Sequence, residues 1–272
     1  MRTVEKVSAA FFDLDKTVIA KASIVAFGRP LRREGLITRR TIARAVTQQL
    51  IFLQFGADEE RLEKVRTSML QLTRGWDRNQ VTAIVRETLI ETIEPLIYAE
   101  ALELMEEHRQ RGDRIYIVSA APEEIVLPLA ELLGVDGALA SRGEIDDQDR
   151  YTGEMAFYCY GPNKAIAIAD LAERTGIDLA KCSAYSDSAT DIPMLEVVGH
   201  PHAVNPDRAL AKVATERGWE ILTFSKPITL RDRMTLRAPI VTGGIALAGA
   251  LALAVFKGAR RHSGSHGIRT PA

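Results

Sequence analysis

Hydrophobic positions follow two different periods before residue 95. Residues 7–14 form an almost unbroken apolar run that closes on Asp13 and Asp15. A run without polar alternation predicts a strand buried on both faces, as in a parallel sheet, with the carboxylates at its C-terminal end. From residue 19 to about 94 the spacing becomes helical. Ile42, Val46, Leu50 and Leu53, then Leu62, Val65, Met69 and Leu72, recur every three or four residues, which predicts a helical cap inserted after the first strand.

Beyond residue 95 helical and strand patterns alternate. Helices are predicted at 95–111, 122–133, 163–175 and 206–217, and strands at 114–120, 137–140, 182–186, 202–204 and 220–224. Gly112 suits a C-cap for the first of these helices. Alternating units of this kind imply an α/β fold with a doubly wound parallel sheet. Residues 142–160, rich in acidic and turn residues before an alternating aromatic run, predict a β-hairpin flap. The expected organisation is a core from 1–18 and 95–226, with the cap at 19–94.

Composition narrows the class. With 272 residues, 46% hydrophobic and 26% charged, the chain can bury a sizeable core. A net charge of −1 gives no reason to expect a nucleic-acid partner. Cys159 and Cys182 lack metal-ligand spacing and are expected to be reduced and structural. The N-terminal apolar stretch is too short for a secretory signal, so the main body is expected in the cytoplasm. At the other end, residues 238–256 read APIVTGGIALAGALALAVF without a charge. That length and composition predict a C-terminal transmembrane helix, the alternative being a buried or surface-lying helix. Ala246, Ala250 and Ala254 give it a small-residue stripe. Basic residues on both sides leave orientation open, and the tail, 257–272, is expected to be disordered.

Candidate chemistry gathers at predicted strand ends. Asp13 and Asp15 lie two apart and can approach one ion. A second acidic pair, Asp187 and Asp191, follows the strand at 182–186 in YSDSATDIP. Magnesium takes oxygen ligands and is usually held by one or two carboxylates with phosphate and water. Helix-cap and first-turn roles are the plainer alternative for Asp187 and Asp191. Ser119 ends the strand RIYIVSA, where its hydroxyl and the following amides, Ala120 included, can hold a phosphoryl oxygen; the alternative is an N-cap. Lys164 opens a helix, the end at which the dipole disfavours a cation, which calls for a nearby anion.

These four segments, in this order, resemble the haloacid-dehalogenase-like hydrolases over roughly residues 7–224, especially the branch that includes phosphoserine phosphatase. The first motif, DxDxT, is matched by Asp13, Asp15 and Thr17; the second by Ser119; the third by Lys164; the fourth, usually GDSxxD, by Ser186, Asp187, Ser188 and Asp191. Ser186 stands where glycine is usual, a change expected to alter the turn more than the chemistry. The resemblance implies a Mg²⁺-dependent phosphomonoester hydrolase. Asp13 would be the nucleophile, Asp15 the acid–base group, and Ser119 and Lys164 the phosphoryl stabilisers. Thr17 and Ala120 would assist at the phosphate, Asp13, Asp15 and Asp187 would hold the metal, and Ser188 and Asp191 would support it. Dehalogenases of the superfamily lack the second acid, and the DKTGT string of P-type ATPases is broken here by Val18 and Ile19.

Substrate identity is less legible. Lys21 and Ala22 occupy the stretch where phosphoserine phosphatases carry a glutamate that binds the substrate amine. Lys21, Arg29, Arg32 and Arg33 make the cap entrance basic, which suits either an anionic leaving group or a solvated helix start. A small phosphorylated metabolite is the expected substrate. The alternatives are a lysophospholipid phosphate met at the membrane, and a tethered regulatory protein that keeps the fold without turnover.

Overall fold

The first strand, β1 (Ala9–Asp13), is buried along its whole length, as its unbroken apolar run requires. The structure, a computed structural model, describes residues 7–36 and 70–225. After β1 come α1 (Ser23–Ala26), α2 (Gly28–Arg33), α3 (Arg78–Ile93), α4 (Ala99–Arg111), β2 (Arg114–Pro122) and α5 (Glu123–Leu133). Then follow β3 (Gly137–Ile145), β4 (Tyr151–Phe157), α6 (Pro162–Thr175), β5 (Ser183–Ser186), α7 (Ile192–Glu196), β6 (His200–Val204), α8 (Arg208–Arg217) and β7 (Glu220–Leu222). Gly112 ends α4 in the left-handed conformation, at φ 81, in the C-cap position its sequence suggests.

The strands form one sheet in the order β4-β3-β2-β1-β5-β6-β7. Every pairing is parallel except β3 with β4. Strand order therefore reverses direction between β1 and β5. In open α/β sheets a crevice opens at such a switch point, outside the C-terminal strand ends. Asp13 is the last residue of β1, and Asp187 follows the last residue of β5.

An aromatic row fixes the register beneath that crevice. Phe12 pairs with Tyr185 and Tyr185 with His202 across adjacent strands. Their rings stack at centroid distances of 4.4 and 4.5 Å. From α4, the buried His108 bonds the Tyr185 hydroxyl at 2.8 Å through Nε2 and Asp113 at 2.7 Å through Nδ1. Burial lowers the pKa of His108, so the ring sits in the core without an obligatory charge.

One sequence expectation changes. β3 does not stop at residue 140 but runs on to Ile145, where it pairs with β4. The hairpin is thus an extension of a core strand, and its antiparallel ladder with β4 carries register shifts between Arg142 and Gly143 and between Gly143 and Ile145. Of the residues between 19 and 94, those described form α1, α2, a helical turn at 70–73 and α3, with short connections. Asp77 caps α3 by accepting from the amides of Asn79 and Gln80. The apolar stripe from Ile42 to Met69 lies outside the described residues, and Leu72 is 42% exposed. Segments 238–256 and 257–272 also lie outside them. Among the described residues no helix is long and apolar enough to cross a membrane.

The chain ahead of α3 is knitted to the hairpin through its backbone. Gly75 N–H donates to Tyr151 O at 2.8 Å, Tyr151 N–H to Trp76 O at 3.0 Å, and Arg78 N–H to Asp149 O at 2.9 Å. On the other side α3 packs against α5, and Arg86 forks onto Glu131 at 2.8 and 3.1 Å.

Candidate active site

Short strands that end in polar residues build the site. Asp13, at the end of β1, is almost fully buried; so are Asp187, just past β5, and Asp191 in the turn that follows. Lys164, in the first turn of α6, is 2% exposed and donates from Nζ to Asp13 Oδ1 at 2.5 Å and to Asp191 Oδ2 at 2.7 Å. The anion that its unfavourable helix position called for is therefore present twice. Neither Asp187 nor Asp191 acts as a helix cap through its side chain: Ser188 caps the turn Ala189–Asp191, and Asp191 makes no cap bond to α7.

Ser186, the residue that stands where glycine is usual, ties the turn together through its side chain. Its hydroxyl donates to Asp191 Oδ2 at 2.7 Å and accepts from the Ser188 amide at 3.3 Å, so Asp191 is fixed by two donors. Asp207 is a further residue the motifs did not flag. It accepts from the Leu210 amide as the cap of α8 and from the Ala189 amide at 2.9 Å, and its own amide donates to the Asp187 carbonyl at 2.7 Å. Its capping role was legible before residues 208–217; its grip on the Asp187 loop depends on distant chain.

Ser119 is buried on β2, and its Oγ accepts from the Ala121 amide at 3.1 Å, leaving the hydroxyl proton available. β2 loses register with β3 between Ser119 and Pro122, so Ala120 and Ala121 stand outside the regular ladder beside the strand end. Thr17 Oγ1 is buried without a hydrogen-bond partner, a condition that buried polar atoms rarely keep unless something binds there. Asp15 stands apart from the Lys164 knot: its Oδ1 accepts from the Ser23 amide at 2.8 Å. Lys16 Nζ lies 3.8 Å from Asp187 Oδ2.

Charge at the site is out of balance. Burial raises the Asp13 carboxyl to about 7 against the pull of Lys164, with Asp191 and Asp187 pushing the same way as burial. Burial also raises Asp187, to about 6, and Lys16 is the strongest offset. Asp15 is raised by burial, and the Ser23 amide works against that. Burial would lower Lys164, but Asp13 and Asp191 outweigh it and keep the ammonium charged. Three buried carboxylates thus face one buried ammonium, which bonds Asp13 and Asp191 but not Asp187.

These residues fit a magnesium ion. The donors are all oxygen, and what the carboxylates lack is positive charge. Among the described residues no three His, Cys, Asp or Glu side chains form a ready-made metal cage. Magnesium seldom uses one, taking one or two carboxylates and completing its shell with water and phosphate oxygens. Asp13 and Asp187 stand at the ends of the neighbouring strands β1 and β5, and Asp15 places one carboxylate oxygen on the Ser23 amide. The cysteines are free and buried, and burial lifts Cys159 to about 12 and Cys182 to about 11, so both are packing residues. A cleft of about 510 Å³ lined by His200, His202, Trp219 and Glu220 holds none of the expected site residues.

Comparison with known proteins agrees with this geometry. Residues 10–196 match the family described as haloacid dehalogenase-like hydrolase. The chain is 51% identical over 227 residues to the inhibition of morphological differentiation protein of Streptomyces azureus, covering 84% of this chain and 82% of that one. It is 48% identical over 247 residues to a probable phosphatase of Mycobacterium tuberculosis, covering 91% and 86%. A phosphoserine phosphatase of the same organism is 35% identical over 225 residues, covering 81% and 72%. A phosphoserine phosphatase solved as a phospho-aspartyl intermediate analogue shares the fold, with a TM-score of 0.57 at 21% identity over 85% of this chain and 99% of its own.

Proposed function

Because the chain belongs to the haloacid dehalogenase-like hydrolase family and is one of its phosphoserine phosphatase-like phosphatases, we propose that it hydrolyses a small phosphomonoester through an aspartyl-phosphate on Asp13. One observation carries this reading: a buried lysine bridges Asp13 and Asp191 at the strand ends beside Asp187. An Asp13 oxygen forms a bond to phosphorus as the bond to the leaving oxygen breaks, and Asp15 gives that oxygen a proton. Asp15 then takes a proton from water, which attacks the same phosphorus and frees phosphate and Asp13. Burial favours the protonated form of Asp15, as an acid that begins the cycle requires.

Lys164 holds Asp13 in place and stays charged, so it can also meet the oxygens of the transferring group. The Ser119 hydroxyl proton, the Ala120 amide and Thr17 are the remaining candidates for phosphate oxygens. Asp13 and Asp187 would hold Mg²⁺, with Asp191 and Ser188 shaping the turn around them. When bound, the metal supplies positive charge against the phosphoryl group. The acid–base role of Asp15 is kept in preference to side-chain metal ligation, since its carboxylate is turned to Ser23.

Turnover of a chromogenic phosphomonoester, with and without magnesium, tests the proposal. Asp13→Asn should reduce it by about a thousandfold or more. Wild-type protein without magnesium-dependent turnover would overturn the phosphatase reading in favour of a binding role. A panel of phosphorylated metabolites and lysophospholipid phosphates, with Asp13→Asn as blank, then identifies the substrate. We further read residues 19–94 as the cap over the site and 238–256 as a membrane anchor for a cytoplasmic catalytic domain, on the sequence pattern alone.

A further inference from the structure

Two lysines serve the carboxylates, and they differ in kind. Lys164 is sealed in, shared by Asp13 and Asp191. Lys16 has a side chain 68% exposed and reaches Asp187 from outside, with Nζ 3.8 Å from Oδ2. Its backbone is left-handed, at φ 63, a conformation few non-glycine residues adopt and one that concentrates at functional sites. The turn enforces it. Lys16 N–H donates to Ile19 O at 2.6 Å, and the amides of Val18 and Ile19 both close on Leu14 O, at 2.9 and 3.0 Å. A rigid turn therefore carries a long, flexible cation to the outer edge of a buried carboxylate, from the position directly after the second acid of the first motif.

A divalent ion held by Asp13 and Asp187 would meet this ammonium within a few ångströms. Like charges at that range repel, and the effect is strong where burial limits screening. Lys164 cannot retreat; Lys16, on an exposed stem, can. We propose that Lys16 is a displaceable counter-ion of the metal position: it neutralises Asp187 while the divalent ion is absent, must swing out for the ion to enter, and so weakens the ion's binding. Ion entry and the Lys16–Asp187 contact are then mutually exclusive. The inference rests on the metal-dependent phosphatase reading and adds to it a residue that sets metal affinity without touching phosphate.

Magnesium titration by calorimetry, at fixed ionic strength and without substrate, tests this on the full chain. Three variants accompany wild type: Lys16→Asn, which keeps a residue tolerant of the left-handed turn; Lys16→Arg, which keeps the charge; and Asp187→Asn, which removes the ion's ligand. Thermal unfolding in chelator establishes that each is folded; should Lys16→Asn fail, Lys16→Gly, suited to the same turn, replaces it. Lys16→Asn should bind magnesium about 3- to 10-fold more tightly than wild type. Lys16→Arg should match wild type, and Asp187→Asn should lose the binding. Unchanged or weaker binding by Lys16→Asn, or an equal shift in Lys16→Arg, overturns the counter-ion role while leaving the phosphatase reading intact. A wild-type protein that shows no magnesium binding sensitive to Asp187→Asn overturns both.

Discussion

Lys164 occupies the wrong end of a helix for a cation, yet two buried carboxylates hold it there. Removing it would leave Asp13 without its buried cation and Asp191 with only the Ser186 hydroxyl, so Lys164→Ala should cost about 3–5 kcal/mol of stability by denaturant titration, besides its loss of activity. Asp187 behaves in the opposite way when no divalent ion is bound. Its folded pKa, about 6, lies above the ordinary 3.8, so its contribution is fully present below pH 3.8 and is lost as pH rises through about 6. Metal-free Asp187→Asn should therefore be more stable than wild type near pH 8, by roughly 1–2 kcal/mol. The difference should fade in acid, which thermal unfolding in chelator at several pH values would measure. The identity of these residues was readable from four motifs. That Asp191 is a partner of Lys164, and that Ser186 anchors it, was not, because neither bond follows from spacing along the chain.

Among the elements, the β3–β4 hairpin has the most consequential surroundings. Three backbone hydrogen bonds join it to residues 75–78, and Gln71 Nε2 adds a bond to Gly153 O at 3.3 Å. Gly153 has φ 88, and a Cβ there would stand 3.3 Å from Gln71 Nε2 and from Arg74 Cβ. Gly153→Ala should strain the backbone by about 1–2 kcal/mol. Hydrogen exchange should report it as faster exchange at the Gly75 and Tyr151 amides, with the β1 amides unchanged. Sequence reasoning found a flap here from its turn residues. Its attachment to the chain before α3 is made by amides and carbonyls, which carry no residue signature.

For the molecule as a whole, the reversal of strand order at β1 and β5 is what gathers the chemistry. Aspartates 174 positions apart in sequence, Asp13 and Asp187, reach neighbouring strand ends because the sheet places β5 beside β1. The uncharged run 238–256 lies beyond β7 in the chain, so a protein ending at residue 225 should keep chromogenic phosphatase activity within about twofold and lose membrane association in a flotation assay. Loss of activity with membrane association retained would oppose the division into a catalytic body and an anchor.

The residues alone determined the α/β class, the central buried strand, most helix and strand positions, and the acids, serine and lysine at strand and helix ends. Those features depend on local period, capping and side-chain chemistry, all written in short stretches of chain. Only the tertiary structure decided that Lys164 is shared, that Asp15 turns to Ser23, that Ser186 braces Asp191, and that Lys16 faces Asp187. The Lys164 and Lys16 contacts join segments that separate strands bring together, while the Asp15 and Ser186 bonds close turns whose backbone course no residue pattern specifies.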